Sequence, residues 1–459
     1  MALKTFDLSK LLEEKPTLTR REKLNFVWNL SIPGMLAQIS SILMQYIDAA
    51  MVGGLGENAS AAIGLVASST WVIGSLTNSL AVGYTVQVAH AVGEGNQNKA
   101  KRILIKSIIS CLIFSLLLAT LASAISGNLP GILGGSPQIK RDASIYFLIF
   151  ALSTPLYQFI YLLSGMLQCS GNMKVPAILN STLCLLDAGF NVLFIKVFGL
   201  GVMGAALGTA CSALVVALLM GYFALVKSEY LGIRGGRMPV KTLDKMESGW
   251  VINKQAVKLA LPIAVQSVAF TGALVVVTRI IAPLGAVALS ANSFAVTAEA
   301  LCYMPGYGIS DAATTLVGQS IGAKRKDLAK SFGWITVVAG MLIMAVTGLI
   351  MYFICPFVFR LLTPVVEIQA LAVTVLRIEL FAEPLYGASI VATGALRGQN
   401  DTLVPSILNL FSIWVVRLGL SLLLINSYGL QGIWLAMAIE LCFRGLVMLT
   451  RLGILARRS

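Results

Sequence analysis

Charged side chains are scarce in this sequence, because they make up 12% of its 459 residues, whereas soluble domains usually carry about 25%. A soluble fold of this length would leave too much apolar surface in water, since 57% of the residues are hydrophobic. A bilayer removes that surface from water, and a spanning helix needs about 20 mostly apolar residues. The composition therefore predicts an all-α polytopic membrane protein.

Residues for metal and covalent chemistry are also few. The only histidine is His90, which excludes a multi-His metal site. None of the seven cysteines forms a CxxC pair and their number is odd, which argues against a disulfide framework or a zinc site. The HExxH, GxSxG and P-loop motifs are absent. We expect no cofactor and no enzyme activity, and an intramembrane enzyme is the main rival class.

Basic residues exceed acidic ones, and the formal net charge is +14. They gather in the N-terminal tail, in alternate loops and in the long central loop, with a bias of about five to one over the intervening loops. This pattern predicts an even number of spans with both termini cytoplasmic, in the cell inner membrane. No basic patch interleaved with aromatic residues is present, so we expect no nucleic-acid partner.

Long apolar segments predict twelve spanning helices. Their approximate bounds are 26–52, 59–91, 104–126, 143–169, 175–197, 202–227, 255–281, 287–318, 329–356, 369–396, 404–426 and 431–452. The predicted organisation is a cytoplasmic N-terminal segment at 1–25, an N-lobe at 26–228, a cytoplasmic linker loop at 229–254 and a C-lobe at 255–459. The charged first residues do not form a cleavable signal peptide, so we expect the first span to be an uncleaved signal.

The two halves repeat at one offset. A shift of 229 residues places Pro33 on Pro262 and Gly93 on Gly322 without a gap, and the motif Ile178-Leu-Asn falls on an identical one. Each half has six predicted spans, so both halves insert the same way up and a pseudo-two-fold axis lies along the membrane normal. Transporters of this design bind substrate between their repeats and alternate access by rocking them.

Acidic side chains inside apolar spans are costly and are therefore functional candidates. Asp48 lies late in the first span, where it could exchange a proton or bind a cation, or could reach the outer interface; its repeat equivalent is Val277. Asn180, Asp187 and Asn191 share one helical face. These three could form a small cation site with Asp48, with Na⁺ as a possible ion, or could join helices by hydrogen bonds.

The second half contains other candidates for cation coupling or substrate binding. Glu299 lies mid-span without a basic neighbour in sequence, and Glu379 and Glu383 lie four residues apart on one helical face. Arg377 and Arg417 could instead neutralise the last two glutamates in structural ion pairs.

Two further pairs have a structural alternative. Glu440 is expected to pair with Arg444, four residues later. Pro33 and Pro262 lie at matching positions inside helices, where proline removes a backbone hydrogen bond, so they are candidates for hinges or for static bends.

Four segments resemble the multidrug and toxic compound extrusion (MATE) family. The first span, with Pro33, Asp48 and the trailing Val-Gly-Gly-Leu-Gly, resembles the first helix of that family. The matching segments of the second half are Glu299-Ala-Leu-Cys-Tyr-Met-Pro-Gly-Tyr-Gly308, Ala312-Ala-Thr-Thr-Leu-Val-Gly-Gln319 and Gly394-Ala-Leu-Arg-Gly-Gln-Asn-Asp401 followed by Pro405. The resemblance covers nearly the whole chain after residue 25.

The resemblance implies a two-lobed exporter of cationic or amphipathic compounds, driven by H⁺ or Na⁺. Some members carry a glutamate in the seventh helix, whereas residues 261–281 here contain no acid. Many members have Asn followed by Asp in the fifth helix, whereas Asp187 here precedes Asn191. A small-molecule substrate and the lipid bilayer are the expected partners of a monomer. A flippase for lipids or lipid-linked precursors is the main alternative.

Overall fold

The computed structural model describes residues 17–232 and 249–458. Within these ranges every secondary-structure element is a helix, and no strand is present. Residues 1–16 of the predicted N-terminal segment and residues 233–248 of the predicted linker lie outside the described residues. The prediction of an all-α membrane protein is confirmed.

The described residues of the first half, 17–232, contain six long helices. Their bounds are α1 Arg20–Gly53, α2 Glu57–Gly93, α3 Gln97–Ile125, α4 Pro137–Cys169, α5 Lys174–Asn191 and α6 Gly201–Tyr222. One helical turn, Leu129–Ile132, precedes α4, while π-helical turns at Val192–Val197 and Phe223–Lys227 extend α5 and α6. The six predicted spans of this half all fall on these elements.

The described residues of the second half, 249–458, contain seven helices and two short extensions. Their bounds are α7 Gly249–Ile281, α8 Ala286–Gly322, α9 Lys326–Leu362, α10 Val366–Glu379, α11 Glu383–Gly398, α12 Leu403–Phe411 and α13 Leu418–Arg458. A 3₁₀ turn at Ala282–Leu284 follows α7, and π-helical turns at Ser412–Arg417 join α12 to α13.

The twelve predicted spans agree roughly with ten long apolar helices among the described residues. The difference arises in two places. The predicted span 369–396 is divided into α10 and α11, and Pro384 lies in the first turn of α11, where proline is well tolerated. The predicted spans 404–426 and 431–452 form one 53-residue stretch, which is long enough to cross a bilayer twice. Gly429 interrupts that stretch with φ 56° and ψ −133°.

The internal repeat is present in the loop backbone. Gly56 and Gly285, which are 229 residues apart, precede α2 and α8 with φ of 107° and 93°. Lys324 takes the left-handed φ of 56° that its equivalent Gly95 takes at 67°. Left-handed backbone is uncommon outside glycine, so a non-glycine residue in the same conformation shows that the repeated turns are equivalent.

Contacts divide the described chain into two compact units. Unit 1 contains Ser40–Ala264, and unit 2 contains Thr17–Ile39 together with Val265–Ser459. The division therefore falls inside α1 and inside α7. The predicted lobe boundaries stay a prediction.

The first part of α7 belongs to unit 1 through contacts with α2 and α3. The Tyr84 hydroxyl and the Ser110 hydroxyl both donate to Asn253 Oδ1, at 3.0 and 3.2 Å. The backbones also approach closely, because a Cβ atom at Gly83 would overlap the Ala256 carbonyl oxygen.

The first part of α1 belongs to unit 2 through contacts with α8 and α9. A Cβ atom at Gly34 would lie 2.7 Å from the Gly308 carbonyl oxygen. Lys23 Nζ donates to Ser331 Oγ at 3.1 Å. Pro33 therefore lies inside α1 one residue before a backbone contact with α8.

Each unit has its own apolar core and an apolar outer surface. Leu162, Leu163 and Met166 of α4 are among the fully buried residues of unit 1, and Trp434 and Phe359 among those of unit 2. Other large apolar side chains are widely exposed, including Leu185, Phe353 and Leu423, whose exposed fractions are 75%, 70% and 74%. Such a surface suits the lipid tails of a bilayer, in which a multi-pass membrane protein lies.

Candidate functional site

Unit 1 brings two predicted acids together through one amide. Asp48 on α1 and Asp187 on α5 both accept from Nδ2 of Asn191, at 2.8 Å from Asp48 Oδ1 and 3.0 Å from Asp187 Oδ2. Ser212 on α6 places its Oγ 3.4 Å from Asp187 Oδ1 and donates to the Thr209 carbonyl at 2.9 Å. We call Asp48, Asp187, Asn191 and Ser212 the aspartate cluster.

Local sequence explains why these side chains meet. Asp187 and Asn191 are four residues apart, so they lie one above the other on the same face of α5. Helix α6 is rich in small residues near the contact, and Gly208 lies directly against the Asn191 side chain. Asp187, Asn191 and Ser212 are buried, whereas Asp48 is half-buried. The polar atoms of the cluster are thus held together in a largely water-free interior. A hydrogen bond there is electrostatically stronger than the same bond in water.

One sequence expectation about this site differs from the structure. Asn180 shares the face of Asp187, yet none of the hydrogen bonds found in residues 17–232 and 249–458 joins it to the cluster. Seven residues of helix separate the two side chains by about 10 Å along the axis, and the neighbouring Ser181 pairs instead with Ser40 at 2.9 Å.

A small cavity of about 20 Å³ lies between α4 and α6 in the same unit. Its lining residues are Tyr146, Phe150, Ser153, Tyr157, Ala206, Thr209 and Ala210. The cavity and the aspartate cluster are linked through α6, because Thr209 lines the cavity and its carbonyl accepts from Ser212 of the cluster. The rings of Phe150 and Tyr157 stack with their centroids 5.9 Å apart.

Sequence reasoning missed Ser212 and the residues that line this cavity. A signal for the latter exists, because Tyr146, Phe150, Ser153 and Tyr157 follow one another at intervals of four, three and four residues. That spacing puts all four on one face of α4. Ser212 has no comparable signal, since a lone serine among small residues is also common in membrane helices.

Unit 2 buries a larger group of charged residues. Glu299 on α8, Glu379 at the end of α10 and Glu383 at the start of α11 are buried and lie within electrostatic range of one another. All four carboxyl oxygens of Glu379 and Glu383 are buried without a hydrogen-bond partner. We call these three acids, together with Glu440, the glutamate cluster.

Glu440 differs from the other members because it has partners. Its Oε1 lies 3.1 Å from Arg444 Nε and accepts from Ser412 Oγ at 2.5 Å. The predicted pairing of Glu440 with Arg444 is confirmed. The Arg444 guanidinium also lies 5.2 Å from the ring centroid of Tyr386, in cation–π geometry.

The expected ion pairs of Arg377 and Arg417 with Glu379 and Glu383 are wrong. Across the described ranges neither arginine forms an ion pair with these acids. Arg377 instead stacks on the Tyr352 ring at 4.6 Å and donates to the Tyr352 carbonyl at 3.2 Å. Arg417 Nη2 donates to the Met437 sulfur at 2.7 Å, while its Nε is buried without a partner.

The described part of the chain offers few side chains that could bind a metal ion together. No group of three or more His, Cys, Asp or Glu side chains there could hold a metal ion. A Na⁺ site at the aspartate cluster would therefore use two carboxylates plus neutral oxygens. Pro33 and Pro262 both lie inside long helices, and their hinge role stays a prediction.

Duplicated helical halves, an apolar outer surface and buried acids together define a multi-pass membrane transporter. The sequence profile of the MatE family matches the chain twice, at residues 33–193 and 262–423. The chain belongs to the MATE family of multidrug efflux transporters. The two matches begin 229 residues apart, which confirms the repeat read from the sequence.

Individual proteins agree with this assignment. The "Probable multidrug resistance protein NorM" of Thermotoga maritima is 27% identical over 430 residues, which cover 90% of this chain and 89% of that protein. A structure described as the outward-facing conformation of a multidrug resistance MATE family transporter of the MOP superfamily superposes with a TM-score of 0.90 at 20% identity, over 99% of both chains.

A second solved structure has the same fold. It belongs to a MOP superfamily transporter from Pyrococcus furiosus and superposes with a TM-score of 0.89 at 20% identity, over 99% of both chains. Its description states that the reverse polarity of its binding pocket suggests a different function. At this identity both structures show the fold alone.

Proposed function

We propose that this transporter is a secondary active antiporter, which exports organic cationic or amphipathic compounds in exchange for H⁺ or Na⁺. The observation that carries the proposal is the aspartate cluster, in which Asp48 and Asp187 share one amide donor inside an apolar helix bundle. Two carboxylates that accept from the same NH₂ group lie close together, so they repel each other when both are ionised. A proton or a small cation relieves that repulsion, so the cluster favours taking up one of them.

Coupling follows from a difference in binding between two access states. A cation at the aspartate cluster stabilises one state, and a positively charged substrate stabilises the other. Simultaneous occupancy by both is penalised, because each needs the same negative charge. The two movements are then linked by a coupling free energy, which for allosteric pairs is about 1–3 kcal/mol.

The ion can be H⁺ or Na⁺, and the cluster has features that suit each. A shared proton requires only two close carboxylates. Sodium requires more oxygens, which the Ser212 hydroxyl and the Asn191 amide can add to the two carboxylates. The glutamate cluster is a second candidate site for a cation or for the substrate, since Glu379 and Glu383 present four buried oxygens without partners.

The proposed setting is the cell inner membrane, with both termini in the cytoplasm and a monomer as the working unit. Support comes from the excess of Lys and Arg in alternate loops, which places those loops inside. The alternating-access mechanism is proposed from the internal repeat.

The decisive experiment measures export of a fluorescent lipophilic cation from proteoliposomes, under an imposed pH gradient or an imposed Na⁺ gradient. Asp48→Asn keeps the shape and removes the charge. We expect the gradient-driven rate to fall at least about tenfold, because a hydrogen bond to a charged group contributes about 1.5–3 kcal/mol. Glu57→Gln is the matched control, since Glu57 is exposed at the start of α2.

Each outcome of that experiment has a clear meaning. Loss in Asp48→Asn with an unchanged Glu57→Gln supports the antiporter and identifies the coupling ion by the gradient that drives export. An unchanged Asp48→Asn would move the ion site to the glutamate cluster. A folded wild type that responds to neither gradient would overturn the antiporter.

A flippase for lipids or lipid-linked precursors is the second candidate. One observation favours it, because Arg417 places a buried Nε without a partner in unit 2, and an anionic headgroup would supply an acceptor. The glutamates nearby oppose it, since they would repel the same headgroup. A fluorescent anionic lipid that moves between leaflets faster than the lipophilic cation is exported would favour the flippase.

A further inference from the structure

Basic side chains gather where α3 meets the start of α7 in unit 1. Lys106 of α3 packs against the first residue of α7, because a Cβ atom at Gly249 would lie 2.9 Å from Lys106 Cε and 3.4 Å from its Nζ. Lys254 lies one turn into α7, with its Nζ 4.8 Å from the ring centroid of Trp250. We call Lys106, Trp250, Lys254 and Lys258 the basic corner.

The start of α7 is held in this orientation from its inner face. Asn253 accepts from one hydroxyl of α2 and one of α3, and Gln87 of α2 donates to a backbone carbonyl of α7 at 3.2 Å. Trp250, Lys254 and Lys258 are spaced by four residues, so they form one line on the opposite face of the helix. All three are exposed, and the exposed fraction of Trp250 is 67%.

Apolar side chains continue the exposed surface further along both helices. Leu261 of α7 and Ile113 of α3 are widely exposed, and such side chains suit the acyl chains of a bilayer. Tryptophan is enriched where acyl chains give way to headgroups, and a lysine stem lets its ammonium group reach the same level. We therefore expect the basic corner to lie at the level of the phospholipid headgroups.

No acid within the two helices offsets the charge of the basic corner, because neither α3 nor α7 contains an Asp or a Glu. In the other half of the chain, the equivalent helices α9 and α1 each carry an acid in the first turn, Asp327 and Glu22. The repeat equivalents of Lys106, Lys254 and Lys258 are Ile335, Asn25 and Asn29. The positive charge at these positions is therefore particular to the first half.

We propose that the basic corner binds the headgroup of an anionic phospholipid, with the lysines holding the phosphate and the Trp250 indole contacting the lipid beside it. Uncompensated lysines near a bilayer attract anionic lipids electrostatically. The occupant is a lipid because the indole and the apolar surface beyond it match acyl chains, which a free phosphate ion lacks. The proposal concerns lipid binding and does not depend on the coupling ion or on the exported compound.

The test uses the full chain in phosphatidylcholine nanodiscs that contain an increasing fraction of phosphatidylglycerol with brominated acyl chains. Bromine quenches tryptophan fluorescence at short range, and each protein is measured with and without Trp250→Phe, so that the difference reports Trp250. Brominated phosphatidylcholine measures contact with a lipid that has no net charge. The variants are Lys106→Gln and Lys254→Gln. Lys330→Gln is the matched control, because Lys330 is an exposed lysine near the start of α9 in the other half.

We expect half-maximal quenching of Trp250 at a fraction of the anionic lipid at least about fivefold lower than that of the uncharged one, because each lysine near the surface favours anionic lipid by about that factor. Lys106→Gln and Lys254→Gln should each raise the anionic value about fivefold, and Lys330→Gln should leave it unchanged. Equal quenching by the two lipids, or a wild-type value in either corner variant, would overturn the proposal. An equal rise in Lys330→Gln would overturn it too, since the attraction would then belong to the whole surface.

A second arm separates a lipid from a free anion. Soluble glycerol phosphate carries the same phosphate without acyl chains, so it should leave the quenching of Trp250 by brominated phosphatidylglycerol unchanged. If it abolishes that quenching, the basic corner binds a free anion and the lipid proposal fails. Native mass spectrometry gives an independent reading, because wild type should retain phosphatidylglycerol that the combined Lys106→Gln and Lys254→Gln variant loses. Equal retention by the two proteins contradicts the proposal.

Discussion

In unit 1, Asp48 and Asp187 are joined by the amide of Asn191, whereas in unit 2 the carboxyl oxygens of Glu379 and Glu383 are buried without any hydrogen-bond partner. Both arrangements hold acids in the interior of a helix bundle, which is costly. Unit 1 offsets the cost with hydrogen bonds, and unit 2 offsets it only at Glu440, which pairs with Arg444.

The 229-residue repeat allows the residues of the two clusters to be compared position by position. The repeat equivalents of Asp48, Asp187, Asn191 and Ser212 are Val277, Val416, Leu420 and Leu441. The repeat equivalents of Glu299, Glu379, Glu383 and Glu440 are Thr70, Phe150, Thr154 and Cys211. Each unit therefore carries its acids where the other has an uncharged side chain.

The two halves thus keep the same turns, whereas their buried polar residues differ. The left-handed turns are shared by both halves although the acids are not, so these turns do not depend on the acids. Acids inside apolar helices cost free energy, and the proposed transport reaction would account for their presence. We expect the two clusters to have different tasks, which substitutions can separate.

The largest expected effect concerns the buried ion pair of unit 2. Arg444→Met leaves Glu440 as a buried charge with only the Ser412 hydroxyl, so we expect a loss of about 3 kcal/mol in the free energy of unfolding. The measurement is unfolding by SDS titration in mixed micelles. Adding Glu440→Leu should restore most of the loss, because a buried pair can be replaced by apolar side chains. A single variant as stable as wild type would mean that Glu440 is already neutral.

The next effect concerns the amide bridge of unit 1. Asp187→Asn removes one carboxylate acceptor of Asn191. A hydrogen bond of that kind contributes about 2 kcal/mol, so we expect the rate of gradient-driven export to fall more than tenfold. Transport in proteoliposomes measures it, and Asp142→Asn at the start of α4 is the control. If both variants export alike, the aspartate cluster is only a structural contact between helices, and the contrast with unit 2 loses its functional meaning.

Much of the fold could be predicted because apolar length and the 229-residue offset depend only on local sequence. The division of the predicted span 369–396 could not be predicted from Pro384 alone, since Pro155 occupies the equivalent position and lies inside an unbroken α4. The surroundings decide whether a proline bends a helix or ends it.

The candidate site could be predicted in part. The spacing of Asp187 and Asn191 placed them together, whereas their contact with Asp48 depends on how α1 packs against α5. Ser212 and Gly208 belong to α6, which approaches only in three dimensions. Arg377 was expected near Glu379 and turns to Tyr352 instead, because sequence proximity does not give the direction of a long side chain.

A smaller effect, of opposite sign, is expected in the unpaired part of the glutamate cluster. Glu383→Gln removes a carboxyl group that has no partner, so we expect a gain of about 1 kcal/mol in the free energy of unfolding together with slower export. Thermal unfolding in detergent and the export assay measure the two quantities on one preparation. A variant that is less stable than wild type would show that Glu383 has a partner in the membrane. Its carboxyl group would then be stabilised as the aspartates of unit 1 are, and the contrast between the units would not hold at this residue.

The smallest effect is expected at an ion pair outside both clusters. Lys99 Nζ lies 3.0 Å from Glu94 Oε2 in the turn between α2 and α3, with both side chains in contact with solvent. Because solvent screens such pairs, Lys99→Met should cost about 0.5 kcal/mol or less in the free energy of unfolding. The same SDS titration measures it beside Arg444→Met. Equal losses in the two variants would show that burial does not set the energy of these pairs, and the argument that the interior acids are costly would fail with it.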